Sequence, residues 1–207
     1  MKYIPTIIRV LFLALFVFFL ITGKTMLWLG LFAVSLLAAL VFGRIYCGYI
    51  CPMNTLMIPT EWIAKKLKIP TFKTSKWLSN EYFAWIALAV SIAAMLLLKK
   101  FLHINLPILP IWLVIAILTT LLYRPAVFHN FICPFGAPQK LFGQFARRAK
   151  KVDRTMCIGC KLCEKASPSD AITVTGDEKK AFINPALCHQ CTNCQAVCPR
   201  EAIHYSK

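Results

Sequence analysis

Cys188-His189-Gln190-Cys191-Thr192-Asn193-Cys194-Gln195-Ala196-Val197-Cys198-Pro199 lies near the end of the 207-residue chain. Three thiols at two-residue intervals, a fourth three residues further on and a following proline form a spacing tied to cubane iron–sulfur ligation. Three close thiolates wrap one corner of a cube through a tight turn. The fourth lies on the next helical turn and reaches a second cluster. Upstream, Cys157-Ile158-Gly159-Cys160-Lys161-Leu162-Cys163-Glu164-Lys165-Ala166-Ser167-Pro168 repeats the spacing with serine in the fourth place. Crossed ligation makes Cys157, Cys160, Cys163 and Cys198 one complete set. The other set is Cys188, Cys191, Cys194 and the odd corner Ser167. One 4Fe–4S cluster follows from the complete set. A second is expected at the incomplete one, with serine ligating as an alkoxide, water or another donor filling the corner, or a 3Fe–4S cluster in its place; the competing reading is a decayed site kept only as scaffold.

Around these motifs, Ala171-Ile172-Thr173-Val174 and Ala181-Phe182-Ile183-Asn184 flank the turn-prone Gly176-Asp177 and predict a hairpin over the clusters. Ala202-Ile203 follows the second motif as Ala171-Ile172 follows the first, giving an internal pseudo-twofold. His189, inside a C-x-x-C turn, reads as a neighbour of the ligands and not as one of them. Seven of the ten cysteines fall in these two motifs, which points to metal ligation in a reducing compartment and away from a disulfide framework.

The rest of the chain is different text. Hydrophobic residues make up 58% of the whole and charged residues 15%, and most of the apolar ones precede position 125. That composition belongs to a membrane protein. Four uncharged stretches approach spanning length: Val10 to Thr22, extendable back to Ile4 across Arg9, then Thr25 to Gly43, Tyr82 to Leu98, and Ile104 to Tyr123. Pro107 and Pro110 stand near the start of the last, where a missing amide donor costs least. The first stretch has no small-residue cleavage pattern after it and is expected to stay in the mature protein. Arg44, Lys65, Lys66, Lys68, Lys73 and Lys76 follow the second stretch, and Arg124, Lys140, Arg147, Arg148, Lys150 and Lys151 follow the fourth. The intervening loops carry only Lys24, Lys99 and Lys100. Both termini and the cysteine-rich part are therefore expected on the cytoplasmic face of the cell membrane. The net charge of +16 sits beside apolar segments, with no nucleic-acid module to use it, so nucleic acid is excluded as a partner.

Two further elements end in Cys-Pro. Gly43-Arg44-Ile45-Tyr46-Cys47-Gly48-Tyr49-Ile50-Cys51-Pro52 and Phe128-His129-Asn130-Phe131-Ile132-Cys133-Pro134-Phe135-Gly136 align on their prolines. Ile50 then matches Ile132, Tyr49 matches Phe131, Tyr46 matches Phe128 and Cys47 matches His129. The pattern predicts a tandem repeat of a two-helix unit. Packed face to face, its soft set Cys47, Cys51, His129 and Cys133 would hold a metal or a cluster; the competing reading is buried thiols under a helix end. Between the second and third stretches, Leu56, Met57, Ile58, Trp62, Ile63 and Leu67 alternate with Lys65, Lys66 and Lys68. This suits either a surface helix broken near Pro59 or a plain anchoring loop. Tyr46, Tyr49, Trp62, Phe131 and Phe135 either shape a quinone pocket or form an interfacial aromatic belt.

The combination of Gly43-Arg44 through Cys51-Pro52, Cys133-Pro134-Phe135-Gly136 and the paired cysteine motifs resembles the NapH-type membrane ferredoxins, related to the membrane parts of NosR-type and CcoG-type proteins. The resemblance covers nearly the whole chain. It departs at His129, where a cysteine is usual, and at Ser167. It implies a four-helix all-α transmembrane domain over residues 1–145 and an α+β, two-cluster ferredoxin-like domain over residues 146–207. It further implies electron transfer between the quinone pool and a partner oxidoreductase. A copper-binding and copper-reducing assembly factor of the CcoG sort, acting through Cys47, Cys51 and Cys133, and a membrane anchor and wire for a larger complex are the rival expectations. No flavin or nicotinamide fingerprint is present, and the four histidines do not make the facing pairs that membrane haem requires.

Overall fold

In an apolar medium a long uncharged run of good helix formers satisfies its backbone within itself as an α-helix, and the first part of the chain is helical. The computed structural model describes residues 4–72, 78, 80, 82–102, 107–175 and 179–206. Its helices are α1 (Ile4–Ile21), α2 (Thr25–Phe42), α3 (Pro52–Lys66), α4 (Tyr82–Leu102), α5 (Ile108–Leu122), the single turn α6 (Pro125–Val127), α7 (Gly136–Gly143) and the short α8 (Leu162–Lys165) and α9 (Asn193–Ala196). The strands are β1 (Ala149–Val152), β2 (Ile172–Thr175), β3 (Lys180–Ile183) and β4 (Ile203–Ser206). Among the described residues three helices, Ile4–Ile21, Thr25–Phe42 and Tyr82–Phe101, are long and apolar enough to cross a membrane. The fourth expected span is the 15-residue α5. At about 1.5 Å per residue it reaches roughly 22 Å, short of a hydrocarbon core of about 30 Å. Part of that expected span, from Ile104, lies outside the described residues.

By internal packing the chain divides into two compact units, Met1–Cys51 with Gln139–Lys207, and Pro52–Pro138. In the second, α3 packs along α5. The chain leaving α3 is pinned by the Phe72 amide donating to the Leu122 carbonyl at 2.9 Å, and Trp112 of α5 donates to Ser91 of α4 at 3.0 Å. The expected break near Pro59 does not form, and α3 runs through it. Pro59 removes a single backbone bond. Beside the gap the Thr60 hydroxyl donates to the Leu56 carbonyl at 2.8 Å, and the buried Met53 and Met57 hold the helix by its packed face. Pro52 opens α3, the position where proline suits a helix.

In the first unit, α1 and α2 pack through Phe16 and Trp28, whose rings meet edge-on at 5.1 Å. The last carbonyls of α2 have no partners within the helix. Leu40 and Val41 accept from the amides of Arg147 and Arg148 at 3.3 and 2.8 Å, and Phe42 accepts from the Tyr205 hydroxyl at 3.3 Å. The segment leading into β1 thus completes the end of an apolar helix.

The expected hairpin is present as β2 and β3, one residue displaced on each strand, antiparallel with Ile172 opposite Ile183. Its turn residues Gly176 and Asp177 lie outside the described residues. The β1–β4 pair was not anticipated from sequence: Lys150-Lys151 interrupts the apolar alternation that marks a strand. Its register sets Ala149 opposite Ser206 and Val152 opposite Ile203. Each element is matched by another at a constant offset of 31 residues, β1 by β3, α8 by α9 and β2 by β4, as Cys157 is by Cys188.

The first cysteine loop turns at Gly159, where φ is +68° and an added Cβ would lie 2.0 Å from the Lys179 carbonyl oxygen. Gly159→Ala is therefore expected to destabilise the cysteine module by about 1–3 kcal/mol. Gly30→Ala, where nothing lies within 4 Å, is expected to be near neutral. Denaturant unfolding of the two variants side by side checks the contrast.

Candidate functional site: two cysteine loops and a π turn

Each cysteine loop starts from an Asx turn. The Asp153 carboxylate accepts from the Thr155 amide at 2.8 Å, and the Asn184 side-chain oxygen accepts from the Ala186 amide at 3.0 Å. The amides of Cys157 and Cys188 then donate to the carbonyls of Asp153 and Asn184 at 3.1 and 3.0 Å. Both loops pass through positive φ two residues later, at Gly159 (68°) and Gln190 (56°). The third thiols, Cys163 and Cys194, ride on α8 and α9. Identical local chemistry thus builds two equivalent thiol cradles.

Cys157, Cys160, Cys163 and Cys198 line a single cavity whose other walls include Ile158, Val174, Ala181 and Ile203. Four thiols on an apolar wall are the donor set and surroundings that a cubane takes. The Ala181 amide points at the Cys157 sulfur at 3.5 Å. In the other loop Cys188, Cys191 and Cys194 are buried, and the Gln190 amide points at the Cys188 sulfur at 3.4 Å. Ser167 holds the place that Cys198 holds in the first set: their amides donate to Glu164 and Gln195 carbonyls, both at 3.3 Å. The Ser167 hydroxyl oxygen accepts from the Ala171 amide at 3.0 Å. Among the described residues no three His, Cys, Asp or Glu side chains converge as they would on one metal ion. A cubane holds its thiolates further apart than a single ion does.

The two Cys-Pro elements share an unusual backbone. Tyr46–Ile50 and Phe128–Ile132 are single π-helical turns, closed by the Cys51 amide on the Tyr46 carbonyl and the Cys133 amide on the Phe128 carbonyl, each at 2.8 Å. Cys51 and Cys133 then turn extended, with ψ of 118° and 115°, as the residue before proline must. Such turns recur at functional sites. Cys47 and Cys51 are buried in one compact unit, and His129 and Cys133 in the other. Tyr46 is packing: it accepts from Trp28 at 2.9 Å and meets the Phe32 ring at 5.2 Å. Trp62 is exposed beneath Lys66, whose ammonium lies 5.0 Å from the ring centre.

The first π turn lies directly on the second cysteine loop. A Cβ at Gly48 would stand 2.2 Å from the His189 carbonyl oxygen, and the Tyr49 hydroxyl donates to the Gln190 carbonyl at 3.3 Å. Arg44 reaches the same loop, donating from Nη1 to the carbonyls of Ala186 and Leu187 at 3.3 and 3.5 Å and from Nη2 to the Cys47 sulfur at 3.8 Å. Arg9, inside α1, donates from Nε to the Gly48 carbonyl at 2.8 Å. In sequence, Arg44 is one of the charges following the second apolar stretch and Arg9 an interruption of the first. The signal available was a lone Arg in an apolar helix and an Arg abutting a cysteine pair, both of which need internal partners.

A family model described as a 4Fe-4S binding domain matches residues 25–70 and 105–153, and a 4Fe-4S dicluster domain matches residues 156–202. An uncharacterized protein of Methanocaldococcus jannaschii is 28% identical over 84% of this chain and 68% of its own length. The ferredoxin-type protein NapH of Haemophilus influenzae is 25% identical over 86% of this chain and 67% of its own. The regulatory protein NosR of Stutzerimonas stutzeri is 26% identical over 75% of this chain, covering 24% of NosR.

Two outcomes are expected. Ser167→Cys should convert the odd corner to thiolate and change the electron paramagnetic resonance (EPR) spectrum of one cluster; an unchanged spectrum in both that variant and Ser167→Ala would remove Ser167 from the ligand set. Burial pushes the Cys188 thiol up to about 11 and the Cys194 thiol up to about 12, and raises Cys163. Without metal these groups are neutral at pH 7, so ligation must release their protons. Reconstitution with iron and sulfide should weaken as pH falls from about 9 to 7. The apoprotein carries the opposite slope, because a raised folded pKa contributes stability that is lost as pH climbs above about 9 toward 12. Iron content against pH and apoprotein unfolding against pH check the two signs.

Proposed function

Taking the chain as a NapH-like membrane ferredoxin with two 4Fe-4S binding domains, we propose that it passes single electrons between the membrane quinone pool and a partner oxidoreductase. The observation that carries this reading is the seating of the Cys47-Gly48-Tyr49 turn, at the end of an apolar helix, on the Cys188–Cys191 loop. It brings a cluster-binding loop to the end of a membrane-type helix within one compact unit. In this reading residues 1–145 form the transmembrane domain and residues 146–207 the cluster-binding domain, with both termini cytoplasmic. That functional division cuts across the packing unit that joins Met1–Cys51 to Gln139–Lys207. The ligand sets are Cys157, Cys160, Cys163 and Cys198, and Cys188, Cys191, Cys194 and Ser167.

A quinol gives up two electrons and two protons on oxidation; two bound 4Fe–4S clusters would each take one electron, and the protons would leave to water. The chain's own residues provide the rest. Val174, Ala181 and Ile203 back the first thiol set with a buried apolar wall. The exposed Cys160, flanked by exposed Lys161 and Lys165, presents that set at the surface to a partner. Basic residues there favour an acidic partner face, a preference that salt weakens.

The test is electron exchange in anaerobic vesicles. Dithionite-reduced protein is expected to be reoxidised by added ubiquinone or menaquinone, at a rate that rises with quinone concentration, followed by the cluster absorbance. Absence of exchange with either quinone, in either direction, would strike out the quinone and leave an electron-transfer subunit fed by protein partners alone.

A further inference from the structure

The second cysteine loop is held in an unusual electrostatic setting. Arg44 is 0% exposed and Lys150 is 5% exposed. Among the described residues, neither Arg44 nor Lys150 has a carboxylate within ion-pair distance, as Lys65 has in Glu61 at 2.7 Å. The Arg44 guanidinium spends its donors on the carbonyls of Ala186 and Leu187, just before Cys188, and on the Cys47 sulfur, and its Nε has no hydrogen-bond partner. The Lys150 ammonium donates to the Gln195 side chain, next to Cys194, and its amide donates to the Gln190 side chain at 3.0 Å. Of the charges acting on the Cys188 sulfur, Lys150 and Arg44 are the positive ones, and Lys150 acts on Cys194 as well.

Burying a cation without an anion is among the costliest arrangements a fold can contain. Neutral carbonyls and a side-chain amide reduce that cost without cancelling the charge. A four-iron cubane on thiolates carries net negative charge, greater by one when reduced, and is the anion this loop is chemically equipped to hold. The first thiol set is built differently. Cys160 is exposed, as are Lys161, Lys165 and Arg200 near it, so water screens those charges; Lys180, whose ammonium donates to the Cys157 carbonyl, is half-buried and not enclosed as Arg44 and Lys150 are.

We propose that the set Cys188, Cys191 and Cys194 is the membrane-side redox site, and that Arg44 and Lys150 are its built-in counter-charges, positioning residues that raise its reduction potential. The inference rests on the two-cluster reading given above. A fixed positive charge in a low-dielectric site favours the state with the extra electron, and net charge, hydrogen bonds and exposure are what set such potentials. Because Arg44 also touches the Cys47 sulfur, it ties the π turn at the end of α2 to the loop that carries the electron.

The test is an EPR-monitored redox titration of the purified full chain, with iron counted on the same samples, for wild type, Arg44→Met, Arg44→Lys and Lys150→Met. The expected result is a downward shift in the potential of one cluster only, the one whose spectrum Ser167→Cys alters. Arg44→Lys should restore most of the loss at Arg44. If Arg44→Met does not retain its iron, Lys150→Met decides, since it removes charge from the same loop without touching the π turn. Unmoved potentials, or equal shifts in both clusters, with about eight irons per chain, overturn the inference alone. About four irons in the wild type overturn the two-cluster reading on which it stands.

Discussion

An apolar helix cannot end without finding donors for its last carbonyls, and the end of α2 finds them in the segment that enters the cysteine module. Leu40 and Val41 are completed by the amides of Arg147 and Arg148 and Phe42 by Tyr205. With that end held, the π turn that follows is pressed onto the second cysteine loop so closely that no side chain fits at Gly48. Arg9 then has a carbonyl to bind inside an otherwise uncharged helix, and Arg44 is carried into full burial beside Cys188. Helix termination, the charge inside α1 and the surroundings of one thiol set are thus consequences of one junction.

The cysteine module shows how one design can serve two unlike sites. Asx turns at Asp153 and Asn184, positive φ at Gly159 and Gln190, one-turn helices α8 and α9, and strands paired by the same register recur 31 residues apart. What differs is what surrounds them. One thiol set opens toward solvent at Cys160; the other is enclosed, beside two buried cations. Backbone symmetry fixes where the ligands stand, and side chains outside the symmetry decide how each site behaves.

The Cys-Pro elements show the same separation of backbone from side chain. Cys47 and His129 occupy matching positions in two π turns whose closing hydrogen bonds have the same length. The proline explains part of this, since it forces Cys51 and Cys133 out of helix and leaves the preceding turn to close one residue late. A thiol and an imidazole are interchangeable for that backbone, though they are not for a metal.

The sequence by itself determined the chemistry that depends on spacing. The two thiol motifs, their pseudo-twofold, the hairpin around positions 172–183 and the apolar helices of the first part are all local patterns, and local patterns are written in order along the chain. The matched Cys-Pro elements were legible as well, because proline imposes its constraint on its immediate neighbour. Only the tertiary structure decided which charges are buried, that β1 pairs with β4, that α3 continues through Pro59, and that Gly48 meets His189. Each of these turns on residues far apart in sequence competing for the same donors or the same space. Arg44 and Lys150 look in sequence like any basic residues beside a membrane segment. What distinguishes them is the loop more than a hundred residues from Arg44, or some forty from Lys150, that folds over their charges.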